Sequence, residues 1–592
     1  MVSVRITGAR RLALILSFAT GAVAVLGAQG HEAQSLEGQE RAKSLYAQGM
    51  ADLQKGDLER ARETFEELVR IAPRSPEGHN TFGWVLLEQG RVELAIAQFN
   101  SALKLRPDFA QAHVNLANAL AEQSNFAEAE TQARAAVKFA PKDSEAHRTL
   151  GRVLSFRGNL PQAIDELQAA VDLEPRRPDL HDDLGSLFEQ ANRINDAVDQ
   201  FSEALRLEPD FPAAELHLGI IRWQQKSLPQ AHELLAKAAQ TLTDNAQAHY
   251  FFGRLLQDQN QMDAALTEFK EAAALQPDLA EVQESLGIIE QRTGDTDAAI
   301  SAFRRLIQLR PADPEAHNDL GLALIQSGNA TAAIPEFEAA LGLRSEDPGF
   351  LENLGTAYLQ KADFDGAITQ FRTALRFAPD DATAHYDLGL ALKLKDQLPQ
   401  ALLEMRKAAE LSPNQPDIHY TLGVTLWQQG NFADAERELR AATDVKPDYA
   451  EAYYTLGTVL RQDGKLDDAA TALRRAISIN DGLVGAHTNL AAILRQQGKT
   501  AEADAESRRA QELLKQSNSV QTATFNTNSG KKLLEAGDVD GAIAQFRSAI
   551  AIAPNYVPAH QYLAQALDRK GEKKEAEEES RKAEELTRAR PE

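Results

Sequence analysis

A small residue recurs every 34 positions along almost the whole chain, at Gly49, Gly83, Ala117, Gly151, Gly185, Gly219, Gly253, Gly287, Gly321, Gly355, Gly389, Gly423, Gly457 and Ala491. After a slip of five residues the series resumes at Gly530 and Ala564. Alanine stands twelve residues beyond this row in all sixteen units, from Ala61 to Ala576, and nineteen beyond it in fourteen, with Leu68 and Leu306 as exceptions. Self-similarity at such a period means that each unit is one supersecondary element that cannot bury its apolar face alone and must stack on its neighbours. The chain therefore reads as a single repeat array rather than a set of unrelated domains.

The residues between the small rows define the unit. Leucine precedes the glycine row (Leu116, Leu150, Leu184, Leu320), and phenylalanine stands sixteen after it (Phe65, Phe99, Phe201, Phe269, Phe303, Phe337, Phe371, Phe546). Small residues let two helix backbones approach while the large ones fill the space beside them. Seven residues after the row, glycine in ten units marks a turn, with Asn192 and Asn260 where a left-handed conformation is also tolerated. Proline ends the unit in eleven cases, such as Pro73, Pro107, Pro209, Pro379 and Pro554. Each unit is thus a helix, a turn and a second helix, and the fold class is all-α. Fourteen contiguous units occupy 42–517 and two more 523–590. The polar, proline-free stretch 518–522, Asn518-Ser519-Val520-Gln521-Thr522, reads as a hinge between them.

Residues 1–30 read as a signal peptide: Arg5, Arg10 and Arg11 precede an uncharged apolar run from Leu12 to Leu26, followed by the small residues Gly27-Ala28-Gln29-Gly30. The run is short for a membrane span and suits an export signal. An uncleaved N-terminal anchor is the alternative, and 31–41 is a lead-in to the first unit. Export to the periplasm or outside a bacterial cell is expected, with no membrane insertion after cleavage. The net charge of −24 disfavours nucleic acid and anionic lipid as partners, since both draw on clustered Lys and Arg. There is no cysteine, which removes thiolate metal sites and cysteine nucleophiles.

The repeats resemble the tetratricopeptide-repeat (TPR) family, as in Ala316-His-Asn-Asp-Leu-Gly-Leu-Ala-Leu-Ile-Gln-Ser-Gly-Asn-Ala-Thr-Ala-Ala-Ile-Pro-Glu-Phe-Glu-Ala-Ala-Leu341. The resemblance covers about nine-tenths of the chain by the span of the units. It implies antiparallel helix pairs stacked into a right-handed superhelical solenoid with a concave groove, in a family of scaffolds, co-chaperones and assembly factors. The repeats are also similar to the substrate-binding arm of O-linked N-acetylglucosamine transferases. That likeness stops at the arm, because no stretch remains to form their catalytic domain.

With about 100° per residue, positions six and two before the glycine row and one and five after it form a stripe apart from the core rows. In the family this side lines the groove. The candidate groove-binding residues on it are Asn115, Asn118, Asp183, Gln224, Asp319, Gln326, Asn353, Gln360, Asp387, Gln428, Gln462 and Asn489. Amides both donate and accept, so such a ladder suits the backbone of an extended peptide. The resemblance implies the same use for Asn115, Asn353, Asn489 and Asn528. Thr149, His217, Phe251 and Tyr562 interrupt the ladder. Trp84, Trp223 and Trp427 stand on or near the stripe, either as partner anchors or as covers for the core rim. A basic clamp for a C-terminal carboxylate is not supported, since Gln111, Glu145 and Thr149 flank Asn115 and Asn118.

Ten histidines share one row, four before the glycine: His79, His113, His147, His181, His249, His317, His385, His419, His487 and His560. Equivalent helices lie at least about 8–10 Å apart, too far to share one metal ion with ligands at about 2 Å, so the row is expected to be structural. No phosphate loop, His-Glu-x-x-His or Gly-x-Ser-x-Gly motif is found, and no metal, cofactor or catalytic residue is expected. The function expected is an exported, non-enzymatic protein-binding scaffold or assembly factor holding extended polypeptide segments. A self-associating envelope component, or the recognition arm of a separate glycosyltransferase, are the alternatives.

Overall fold

The computed structural model describes residues 36–588. Thirty-one helices, and no strand, make up the described residues. Sixteen helix pairs would give one more; the missing boundary lies at the fourteenth unit. The chain divides at Asp295/Thr296 into two units of structure. Residues 1–30, expected as a signal peptide, and 31–35 of the lead-in lie outside the described residues, and no described helix is long and apolar enough to cross a membrane.

Each repeat is closed by the rows that define it. Phe65, Phe99, Phe201 and Phe269 in the first unit, and Phe337, Phe371 and Phe546 in the second, are fully buried between their two helices. The glycine row makes room for them: a Cβ on Gly83 would sit 2.7 Å from the Phe99 ring, and one on Gly321 would sit 2.5 Å from Phe337. The sequence carries an internal control. Where the row holds alanine instead, at Ala117, Ala491 and Ala564, position sixteen residues on is Ala133, Ser507 or Ser580, never a large side chain. The pair of positions therefore exchanges volume as a unit.

The turns follow the same economy. Gly328 has φ 77°, a left-handed conformation that costs glycine nothing. Asn192 and Asn260 adopt it as expected, and so do Ser124, Lys226, Ala362 and Asp396, which the sequence does not single out. The stacking of helix pairs imposes the turn even where the residue resists it.

The histidine row is a set of clamps. In each, Nδ1 lies within hydrogen-bond distance of a Gln or Glu on the second helix of its own repeat, as in His113 to Gln132 (2.7 Å) and His419 to Glu438 (2.8 Å). In His79, His113, His147, His181, His385, His419 and His560, Nε2 meets the carbonyl oxygen of the repeat-ending proline six residues back. The row thus ties the repeat's two helices to the incoming loop. For His419 both partners are acceptors, and the hydrogen bond to Glu438 outweighs burial and raises the imidazole pKa, while the same bond lowers that of Glu438. A raised histidine pKa stabilises the fold fully below the unfolded value, about 6.5, and that contribution is lost as pH rises through the folded one. The lowered Glu438 value contributes above about pH 4.3 and is lost as pH falls further. The difference in urea stability between wild type and His419→Gln is therefore expected to be greatest between about pH 4.5 and 6.5 and smaller at alkaline pH.

Residues 518–522, expected as a hinge, are helical. A single 36-residue helix, Thr500–Glu535, joins the second helix of the fourteenth repeat to the first helix of the fifteenth. Lys515 stands where eleven units have proline, and neither proline nor glycine occurs between Leu513 and Ser529. Two repeats that lack the proline are ended instead by Ser345-Glu346-Asp347, with Asp347 capping the next helix, and by Asp481-Gly482. The junction has neither device, so the hydrogen-bond ladder runs on.

Candidate functional site: the first-helix face

Within each unit of structure, first helices of consecutive repeats touch directly, as Pro76–Glu88 touches Ala110–Glu122 and Pro314–Gln326 touches Pro348–Gln360. Consecutive second helices have a first helix packed between them. The first-helix side is the tighter one, which makes it the inner face of each stack.

Side chains on this face are paired across repeats at a spacing of 35 residues. In the first unit, Asn115 Nδ2 donates to Asn80 Oδ1 (3.0 Å), Arg148 Nε donates to Asp183 (2.5 Å), and His217 Nδ1 lies 2.9 Å from Asp182. In the second, Asn353 Nδ2 donates to Asn318 Oδ1 (2.8 Å), and the Tyr386 and Thr421 hydroxyls meet at 3.1 Å. The residue three before the glycine row thus partners the residue two before it in the next repeat. Several groove candidates are therefore inter-repeat staples: Asn115 is buried, and Asp183 and Asn353 are half-buried and engaged. Asn489 is tied differently, donating to Thr458 (3.1 Å) and accepting from Arg461 (2.7 Å).

A second row of staples uses the indoles. Trp223 Nε1 donates to Asp258 (2.8 Å) and Trp427 Nε1 donates to Gln462 (2.8 Å), again at 35 residues. Both rings, and Trp84, pack partly buried against the repeat cores. They cover the rim and leave one edge to the face. Around Trp223 the first unit gathers further aromatic surface: Phe251 lies 6.0 Å away, and the Arg254 guanidinium sits 5.5 Å over the indole.

Five residues after the glycine row, Gln224, Gln326, Gln360, Gln428 and Gln462 stand exposed. Asn118, Asp319 and Asp387 are half-buried at the same face. Rows near the middle of the first helix hold repeats together, while at its end Gln224, Gln326, Gln360 and Gln428 are presented outward and Gln462 also accepts from Trp427.

Charge on the face is uneven. Arg148 is buried and bonds Asp183, Asp179 (2.8 Å) and Glu145 (3.4 Å), while Arg177 bonds Glu145 (2.7 Å) and Asp179 (2.6 Å). Burial works against the Arg148 charge, but the three carboxylates overcome it and hold its pKa well above the ordinary value. The second unit has an acidic counterpart without a cation. Glu352 and Asp387 occupy the staple positions of their repeats. Burial first, then the charges of Asp381, Asp387 and Asp347, pushes the Glu352 carboxyl up to about 7, and burial with Asp381 pushes Asp387 up to about 6. The folded state then holds protons the unfolded chain releases, so stability falls as pH rises from about 4.3 to the raised value. Glu352→Gln is expected to stabilise the protein by about 1–2 kcal/mol at pH about 8, once solvent screening of this half-exposed group is allowed for, and to change nothing near pH about 4. Paired urea titrations at the two pH values check the sign.

Models of the tetratricopeptide repeat match residues 80–144, 183–247, 250–314, 284–348 and 420–483, and further models described as tetratricopeptide or TPR repeats match 42–75, 357–396, 392–430, 484–509 and 533–589. None of the curated proteins compared matches the chain significantly. Among solved structures, a MamA crystal structure is 26% identical, with 28% of this chain and 92% of that one covered and a TM-score of 0.28. A structure from a functional characterisation of Pseudomonas aeruginosa pilF is 23% identical over 35% of this chain and 95% of that one, with a TM-score of 0.33. The Cut9–Hcn1 hetero-tetramer of APC/C is 14% identical but covers 95% of this chain and 99% of that one, with a TM-score of 0.35. With matches spread from residue 42 to residue 589 and helix pairs closing in the same register throughout, the chain belongs to the tetratricopeptide-repeat family, whose members serve as protein-interaction scaffolds.

Proposed function

We propose that this chain is an exported scaffold that holds extended polypeptide segments along its first-helix face and catalyses nothing itself. The observation that carries the reading is the division of that face. After the inter-repeat staples are accounted for, the glutamines at Gln224, Gln360 and Gln428 remain outward and exposed. Each offers two donors and an acceptor, which is the pairing capacity that an extended backbone requires whatever its side chains. The half-exposed aromatic shelf at Trp223 and Phe251 adds places for apolar side chains. Export rests on the apolar run Leu12–Leu26 behind three arginines.

The test is an array of overlapping peptides from envelope and secreted proteins of the host, probed with wild type and with Gln360→Ala/Gln428→Ala. Binding that weakens about tenfold or more in the double variant, as the loss of two hydrogen bonds of about 1 kcal/mol each implies, supports the reading. Undiminished binding with unchanged helix content removes the glutamine row from it. Cell fractionation, with and without residues 1–30, checks export independently.

A further inference from the structure

Phe525 is 74% exposed, more than any other large apolar side chain described. Its position in the repeat makes this anomalous. It stands five residues before the glycine row, and in repeats stacked on a preceding one that row is buried: Ala112, Leu180, Val282, Ala384 and Ala559 are all at 0%, while Ser44 of the first repeat is exposed. The row packs on the second helix of the preceding repeat; Gly78, its member in the second repeat, lies so close to Leu68 that a Cβ there would be 3.4 Å from Leu68 Cδ2. The fifteenth repeat has no such neighbour, because the second helix that should cover it is the other half of its own helix, Thr500–Glu535.

The covering face is nonetheless present in the chain. Ala510 occupies the row of Leu68, and Leu514, one turn on, is 52% exposed. Fifteen residues of straight helix between Ala510 and Phe525 span about 22 Å, whereas packed helices lie about 8–10 Å apart. The two faces cannot meet within one molecule. They do point the same way: at about 100° per residue, Leu514, Asn518, Gln521 and Phe525 fall on one side of the helix within about 60° of each other. Both stacking faces of the interrupted junction are therefore offered outward together, around a stretch whose only charge from Leu513 to Gly530 is Lys515. In a molecule of net charge −24 this is a place where two copies approach with little repulsion.

We propose that this face closes on the same face of a second copy of the chain. The two Thr500–Glu535 helices run antiparallel about a two-fold axis, so that Phe525 of each copy packs on Leu514 of the other. The pairing restores, between molecules, the stacking contact that every other repeat junction within a unit makes internally. It is isologous, since each copy carries both halves: Leu514 meets Phe525 at either end, and Asn518 meets Gln521 between them, amide to amide. The contact does not use the exposed glutamine row, so it stands apart from peptide holding.

The chain has no cysteine, which gives a clean test. In the cysteine pair Leu514→Cys/Phe525→Cys the two sites lie about 16 Å apart along one helix, beyond the roughly 7 Å that a disulfide can bridge, so any disulfide joins two molecules. The expected results are a dimer for the wild-type protein by sedimentation at micromolar concentration, a monomer of unchanged helix content for Phe525→Glu, and a covalent dimer on oxidation of the cysteine pair. A wild-type monomer, a Phe525→Glu variant that stays dimeric, or a cysteine pair that does not crosslink overturns the proposal. Because Phe525→Glu leaves the glutamine row intact, its peptide binding reports separately on the scaffold reading.

Discussion

Arg148→Met is expected to destabilise the array locally by about 3–5 kcal/mol, the cost of removing one partner from a buried ion cluster. The guanidinium is the common partner of Asp183, Asp179 and Glu145, and it reaches from the fourth repeat to the fifth. Methionine preserves much of the volume but leaves three carboxylates sharing Arg177 alone, which bonds only two of them. The effect should be confined to neighbouring repeats, because stability in a stacked array is a sum of repeat and nearest-neighbour terms. Global denaturation of so long an array reports the sum over its repeats rather than the site of a change. Amide hydrogen exchange is the suitable readout: protection should fall in Ser144–Phe156 and Pro178–Gln190 and persist in the helices beyond Thr296. Arg148→Lys should recover little, since a single ammonium cannot reproduce the fork that reaches Asp183 and Asp179 together.

The second large effect concerns the exchange of volume between the glycine row and the phenylalanine row. Phe337→Ala removes a fully buried ring and should cost about 3–5 kcal/mol. Gly321→Ala, which sets a methyl 2.5 Å from that ring, should cost about 1–3 kcal/mol by overpacking. The informative molecule is the double variant. It recreates the pair that Ala117 and Ala133 form in the third repeat, where both are fully buried. Its cost should be less than the sum of the two single variants, because the added methyl enters the space the ring vacates. Hydrogen exchange in Pro314–Gln326 and Ala330–Leu343 supplies the cycle; strict additivity would show that the two rows do not share one cavity.

These two predictions differ in how far the sequence announces them. The Gly321–Phe337 contact is legible from periodicity alone, since row spacing fixes which residues meet within one helix pair. The staples are also written in the sequence, but across repeats: Asn80 with Asn115, Arg148 with Asp183, Asp182 with His217 and Asn318 with Asn353 are complementary pairs 35 residues apart. A stripe drawn on a single helix hides them, because the position three before the glycine falls at about 60°, just outside the polar stripe. Asn115 therefore looks like an open groove amide until the neighbouring helix is in place. The junction at 518–522 went the other way. Polar residues there suggest a break, yet polarity does not end a helix; a missing backbone donor or a left-handed residue does, and Lys515 supplies neither. At Phe525 an apolar side chain in a row that is buried in stacked repeats stands exposed, and that disagreement is visible only in the structure.

The pH behaviour offers an internal contrast. His419 with Glu438 contributes stability in mildly acidic solution, while Glu352 with its acidic neighbours costs stability above neutrality. Both of these contributions to the stability of the second unit are larger on the acid side of pH about 7.

The central claim is that extended polypeptide lies along the exposed glutamine row of the first helices. Photoreactive residues placed at Gln360 and Gln428, and at Glu410 on the exposed side of a second helix as the control, report this directly when irradiated in cells and resolved by mass spectrometry. Reproducible crosslinks from Gln360 and Gln428 to the same segments of other proteins, and none from Glu410, are the predicted result. Equal crosslinking at all three sites, or crosslinks only to further copies of this chain, would contradict it.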